Sequence, residues 1–218
     1  MSLTTIILAA GKSTRMLSLK SKLLFKISGE HIIEHVYRAA KSINSKNIIC
    51  VLGNSPQQLK DFIQKNKVKS VDQKNPCGTA DAVKTAIRSM PVNKNNKILI
   101  LCGDVPFISP VTLKKMISKL DNSDLCLGTY MQENPTGYGR IIRNNKKIVG
   151  IIEEKDADGK IKKINEINTG IICVNEGVLR KFIGKIKNNN KQKEYYLTDI
   201  IKLLSDNDYK ISSYTIKN

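Results

Sequence analysis

The sequence predicts an α/β fold, a doubly wound and mainly parallel sheet, from three observations. Apolar runs of four to seven residues recur through the first 130 residues. Amphipathic stretches with helical spacing stand between them, so that strand and helix alternate four times. The runs are apolar at consecutive positions, which suits strands covered on both faces.

The elements follow in order. TIILA makes Thr5–Ala9 a first strand, closed by a glycine turn, and His31–Ser42 is an amphipathic helix. NIICVL gives the strand Asn47–Leu52, followed by a helix at Gln57–Asn66 and another at Thr79–Met90. Lys97–Leu101 is a strand, Pro110–Leu120 a helix and Asp124–Tyr130 a strand. After Tyr130 the pattern changes. Gly139–Arg143, Ile148–Glu153 and Gly170–Val174 are separated by polar turns (Asn144–Lys147, Asp156–Lys160) without helices, which predicts a small antiparallel or mixed extension along one edge of the sheet. A helix at Tyr195–Ser205 and a strand at Lys210–Thr215 complete this Rossmann-like arrangement. No internal repeat is present, and Asn188–Lys193 (NNNKQK) is the most linker-like stretch. The reading is a single unit over 1–218.

Composition narrows the functional classes. An apolar fraction of 40% excludes a mostly disordered chain, and no stretch reaches the roughly 18 apolar residues of a membrane span. The net charge of +18 suggests an anionic partner at first sight. The excess consists of 31 Lys against 6 Arg, accompanied by 30 Ile and 20 Asn, with no Trp and 5% aromatics. A nucleic-acid face would favour Arg forks and stacking aromatics, so the lysines read as a solvated surface rather than a specific nucleic-acid footprint. A basic RNA-binding protein remains the rival from another class, and it would show steeply salt-dependent RNA affinity.

Cys50, Cys77, Cys102, Cys126 and Cys173 are odd in number and irregularly spaced, without a CxxC pair. All but Cys77 sit in apolar runs, as reduced cysteines of a cytoplasmic protein do. No basic region precedes the first apolar run, which reads as a strand rather than an export signal.

Two segments carry candidate chemistry. Leu8-Ala9-Ala10-Gly11-Lys12-Ser13-Thr14-Arg15-Met16 follows the first strand, where small residues let the backbone approach a ligand and successive N–H groups can cradle phosphate. Arg15 and Lys22 add cations. The segment fits neither GxxxxGK[ST] nor GxGxxG. Cys102-Gly103-Asp104-Val105-Pro106 follows the strand Lys97–Leu101, at the carboxyl end where ligands of open α/β sheets gather. A lone carboxylate there suits Mg²⁺, which completes its shell with water and phosphate oxygens. The two histidines form His31-Ile32-Ile33-Glu34-His35, an HxxEH pattern that a zinc peptidase would use and that an ordinary amphipathic helix fills equally well.

LAAGKSTRM, Lys22, QKNPCGTADA, CGDVP, NPTGYGRI, IIEEKDA, EINTGI and EYYLTDI together resemble the uridyltransferase domain of bacterial N-acetylglucosamine-1-phosphate uridyltransferases, over nearly the whole chain. The resemblance implies a nucleotide-diphospho-sugar transferase type of fold, with nucleotide handled by about 1–130 and sugar by about 131–218. It implies that UTP and N-acetylglucosamine 1-phosphate give UDP-N-acetylglucosamine and pyrophosphate with Mg²⁺. Arg15 and Lys22 match cations at the reacting phosphates, and Asp104 matches the Mg²⁺ carboxylate. Leu8, Ala9, Ala10, Gly11, Gln73, Gly78, Thr79, Cys102 and Gly103 match nucleotide-contacting positions, Gln73 reading the uracil edge. Gly139, Glu153 and Asn168 match positions that hold the amino sugar, with Thr169 beside them.

Departures accompany the resemblance. Ser21 stands where the family has Pro, Ser13 where it has Gly, Pro76 where it has a second Gln, and Cys102 where it has Tyr. A second Mg²⁺ ligand, an Asn beyond the final strand, would fall past Asn218, and the hexapeptide repeats of a left-handed β-helix acetyltransferase are not found. A related transferase using another nucleotide or sugar phosphate, or a degraded homologue, is the alternative reading.

Overall fold

A computed structural model of the chain describes residues 2–11 and 21–217. The strands are β1 (Ser2–Ala9), β2 (Lys26–Ile27), β3 (Glu30–His31), β4 (Asn47–Leu52), β5 (Lys69–Asp72), β6 (Asn96–Cys102), β7 (Leu125–Met131), β8 (Arg140–Asn144), β9 (Lys147–Ile152), β10 (Glu166–Asn175) and β11 (Ile211–Thr215). The helices are α1 (Ile32–Ser42), α2 (Gln57–Lys65), α3 (Thr79–Arg88), α4 (Pro110–Lys119), α5 (Glu176–Ile183) and α6 (Asp199–Ser205).

The main sheet runs β11-β7-β10-β6-β1-β4-β5, with the β8–β9 hairpin attached through β10. β1 lies parallel between β4 and β6. The chain moves outward from β1 through β4 to β5, then α3 returns it to the other side of β1 as β6. The order therefore reverses between β1 and β6, the topological switch point where open α/β sheets open a crevice.

Apolar residues fill both faces because successive side chains of a strand point to opposite sides. In β6, Ile98 and Ile100 enter the core beneath α3, α5, α6 and the β8–β9 hairpin. Leu99 and Leu101 enter the core beneath α1, α2 and α4. Local caps fix the helix starts. The Ser109 hydroxyl accepts from the Thr112 N–H at 3.1 Å with Pro110 in the first turn of α4, and the His31 N–H donates to the Glu34 carboxylate at 2.7 Å at the start of α1.

Two sequence expectations are corrected. The extension after Tyr130 is not confined to an edge: β10 runs antiparallel through the middle of the sheet, between β6 and β7. The helix expected from Tyr195 begins at Asp199, because the Tyr195 backbone is already engaged: its N–H donates to Cys77 O and its carbonyl accepts from the Ala80 N–H. The strand β5 and helix α5 were not anticipated.

Candidate active site

The carboxyl end of β1 and the loop after β6 meet at the switch point. Leu8 lies in register with Cys102, and the Gly103 N–H donates to Leu8 O at 2.9 Å. A Cβ on Gly103 would stand 3.0 Å from that same oxygen, so the close approach of this loop to β1 favours glycine. Asp104 follows directly and forms an ion pair with Lys22. Lys22 stands in a short 3-10 turn, Lys22–Leu24, held by the burial of Leu23 and Leu24. Both charged groups remain partly exposed, as groups that meet a charged ligand must. Arg15 lies outside the described residues.

A cleft of about 430 Å³ opens beside these loops, lined by Leu8, Ala10, Gly11, Gln73, Gly78 and Thr79, together with Lys155, Gln192 and Glu194. Six nucleotide positions expected from sequence are thus brought to one cavity. Ala9 instead points into the core. Gln73 is buried at 4% exposure, with Nε2 donating to Asp81 Oδ2 at 2.6 Å and to Gly78 O at 3.2 Å. Gly78 has φ +118°, and a Cβ there would fall 2.5 Å from Tyr195 O. The Thr79 hydroxyl accepts from the Leu197 N–H at 2.9 Å, tying the mouth of α3 to the segment before α6.

The positions expected from sequence to meet a sugar gather next to it. The Asn168 N–H donates to Gly139 O at 2.9 Å, and a Cβ on Gly139 would lie 3.1 Å from Glu153 Oε2. Glu153 Oε1 accepts from the Thr198 hydroxyl at 2.9 Å. Burial raises the Glu153 carboxyl above its ordinary range, against the pull of that hydrogen bond. The neighbouring Asp199 is pushed up to about 6, by burial first and then by the Glu153 and Asp156 charges. Leu197 and Thr198 are consecutive, so one short segment joins this cleft to the positions expected from sequence to meet a sugar. Thr169 serves the backbone instead, since its hydroxyl donates to Gly128 O at 2.8 Å and pins the bulge in β10 between Asn168 and Ile172.

Cys102 packs against Gly170, whose φ of +77° opens that bulge. Burial, with the Asp104 carboxylate adding to it, pushes the Cys102 thiol up to about 12, so it stays protonated and is no nucleophile at neutral pH. The histidines serve the fold. His31 Nδ1 donates to Leu24 O at 2.8 Å and His35 Nε2 to Ile27 O at 3.0 Å, and among the described residues no group of three or more His, Cys, Asp and Glu could hold a metal. Asp104 stands as a single carboxylate, paired with Lys22, at the end of β6.

A family model described as a MobA-like NTP transferase domain matches residues 5–164. The chain belongs to that family. In this MobA-like NTP transferase domain the matched span runs from β1 through the β8–β9 hairpin, and β10 with Asn168 lies beyond it. The chain is 43% identical over 202 residues to "Bifunctional protein GlmU" of Francisella tularensis subsp. novicida (strain U112), and equally so to that of subsp. tularensis (strain SCHU S4 / Schu 4). The match covers 92% of this chain and 44% of the relative, so the chain spans less than half the length of these relatives. The fold is similar to that of a UDP-glucose pyrophosphorylase complexed with UDP-glucose, with a TM-score of 0.82 and 18% identity over 100% of this chain and 92% of the other. It is also similar to the inositol-1-phosphate CTP transferase from T. maritima, with a TM-score of 0.73 and 17% identity over 97% and 84%.

Sequence reasoning missed Lys155, Gln192 and Glu194. Lys155 lies within the IIEEKDA block. Gln192 belongs to the stretch read as linker-like, which the Asn190 side chain orders by bonding both the N–H and the carbonyl of Glu194.

Proposed function

We propose that this chain transfers a uridylyl group from UTP to N-acetylglucosamine 1-phosphate, releasing pyrophosphate and forming UDP-N-acetylglucosamine. The observation that carries the reading is the junction at Leu197–Thr198, which sets the Gly139–Glu153–Asn168 cluster directly beside the Gln73–Gly78–Thr79 cleft. The extent of identity to the GlmU proteins supports it. The structural neighbours are a UDP-glucose pyrophosphorylase and a CTP transferase, so the fold alone does not choose the base.

A phosphate oxygen of the sugar phosphate attacks the α-phosphorus of UTP, the bond to the β-phosphate oxygen breaks, and pyrophosphate leaves with that electron pair. No protein nucleophile is required. The obstacle is repulsion between anions and charge on the leaving group, which positioned cations relieve. Lys22 and Arg15 supply that charge, and Lys155 adds a cation on the cleft wall. Asp104 would hold Mg²⁺, which when bound neutralises phosphate charge and aligns the triphosphate. The N–H groups after β1 hold the phosphates, Gln73 holds the base, and Glu153 Oε2 and Asn168 hold the amino sugar.

Nucleotide positions concentrate before residue 131 and sugar positions after it, within one unit. The five free cysteines fit a reducing cytoplasm, and among the described residues no helix is long and apolar enough to cross a membrane. Small molecules, rather than nucleic acid or a membrane, are the partners in this reading.

A pyrophosphate-release assay with Mg²⁺ across pairs of nucleotide and sugar phosphate tests it. UTP with N-acetylglucosamine 1-phosphate should exceed every other pair, and chelation of Mg²⁺ should stop release. Silence with that pair, or a higher rate with another, overturns it.

A further inference from the structure

Gln73 is held in one orientation by acceptors alone. Its Nε2 lies 2.6 Å from the Asp81 carboxylate and 3.2 Å from the Gly78 carbonyl. A carboxylate and a peptide carbonyl can only accept, so both amide hydrogens are directed at them and Oε1 is left for the cleft that Gln73 lines. Turning the amide over would set Oε1 against two acceptor oxygens in a buried position, disfavoured about tenfold or more. Gly78 O is itself fixed, since it also accepts from the Ala82 N–H at 3.2 Å at the start of α3. Among the described residues, the Asp81 side chain is the partner of the Gln73 amide nitrogen that a substitution can remove.

We propose that Asp81 is a positioning residue that sets base selectivity, by fixing the Gln73 amide so that its oxygen alone faces the base. The inference rests on the proposed function, because it assigns the cleft to a pyrimidine nucleotide. An oxygen at that place accepts from a base whose ring N3 bears hydrogen, as in uracil or thymine. Cytosine presents a lone pair at N3 and can satisfy Oε1 only by sliding its amino group into that position, away from the register the cleft sets. Asp81 does not touch the substrate; it acts through Gln73. Its place in the first turn of α3 also makes it a structural residue, so the test must read something that stability does not move.

The experiment is calorimetric binding of UTP and CTP to the whole protein and to Asp81→Asn, with steady-state kinetics for the same pairs. An asparagine can present either its oxygen or its amide hydrogens to Gln73, so the stronger of the two constraints is lifted and only Gly78 O at 3.2 Å still opposes the reversed amide. The UTP:CTP affinity ratio should fall about tenfold, with the kinetic change carried by KM for UTP. A ratio unchanged within about twofold overturns the proposal, as does a loss shared equally by both nucleotides. Wild-type protein supplies a second measurement that needs no variant: N3-methyl-UTP should bind at least about tenfold more weakly than UTP, and equal binding overturns the proposal. Should wild-type bind UTP selectively yet release no pyrophosphate, the proposed reaction fails while the role of Asp81 is still read from the affinities.

Discussion

Lys22 and Asp104 stand 82 residues apart in the chain and meet as an ion pair at the carboxyl end of the β1–β6 crevice. The pair is partly open to solvent, at 27% and 37% side-chain exposure, so its own contribution to stability is small. Its members are also the cation and carboxylate that phosphate-transfer chemistry calls for. Lys22→Ala is expected to lower pyrophosphate release by about 10²- to 10³-fold, the usual effect of removing a donor aimed at developing charge. The circular dichroism spectrum and melting temperature should stay close to wild type. Near-normal turnover by the variant removes Lys22 from the mechanism.

Gly78 allows the approach of two backbones. Gly78→Ala would force a side chain onto a φ of +118° and against Tyr195 O at 2.5 Å, costing about 1–3 kcal/mol. Urea unfolding measures that loss, and nucleotide KM should rise with it because Gly78 O also holds Gln73. An unchanged unfolding midpoint shows that the two segments separate freely.

Thr198→Val keeps the shape of the side chain and removes the hydroxyl that donates to Glu153. Leaving the carboxylate short of a partner costs about 1–3 kcal/mol, and that cost should fall on KM for the sugar phosphate rather than on KM for the nucleotide. An equal rise in both constants would place Thr198 outside the sugar subsite.

The Asp199 carboxyl, raised to about 6 from an ordinary 3.8, makes stability depend on pH in a definite direction. The folded protein keeps this proton to a higher pH than the unfolded chain does. The stabilisation is therefore complete below about pH 4 and is lost as pH rises through 6. Asp199→Asn removes the charge that burial, Glu153 and Asp156 oppose. The variant should melt above wild type at pH 7, with the difference closing toward pH 4. A lower melting point at pH 7 would show that the attraction of this carboxylate to the start of α6 outweighs its burial.

The central strands were legible because their chemistry is local. Ile6-Ile7 and Ile98-Leu99-Ile100-Leu101 must be apolar on both faces, and that requirement appears in the sequence as an unbroken run. Asp104 was legible for the same reason, as a carboxylate next to a strand end. Lys69–Asp72 carries no such run, since an edge strand needs little burial. α5 was hidden by Glu176, whose charge reads as surface although the residue is fully buried. There it accepts from Arg180 at 2.7 Å, Asn96 at 2.8 Å and the Asn93 N–H at 3.0 Å. Tyr195 and Leu197 looked like the start of a helix because nothing local reveals that their N–H groups are taken by Cys77 and Thr79. The bulge that turns Thr169 toward Gly128 left a single sign in the sequence, Gly170. The lock between Gln73 and Asp81 left none, since eight residues separate them across a loop.

The antiparallel strand β10 has a consequence for the order in which the molecule can be completed during synthesis. β7 has no pairing with β6 of its own; β10 bridges them, hydrogen-bonded to both. A ribosome that has released the chain only through β6 has therefore emitted β1, β4, β5 and β6 with one flank of β6 still bare. That flank closes only when residues 166–175 emerge, and the same ten residues bring the Asn168 N–H onto Gly139 O. Closure of that flank and the arrival of Asn168 beside Gly139 are thus one event, and β11 then adds to the free edge of β7.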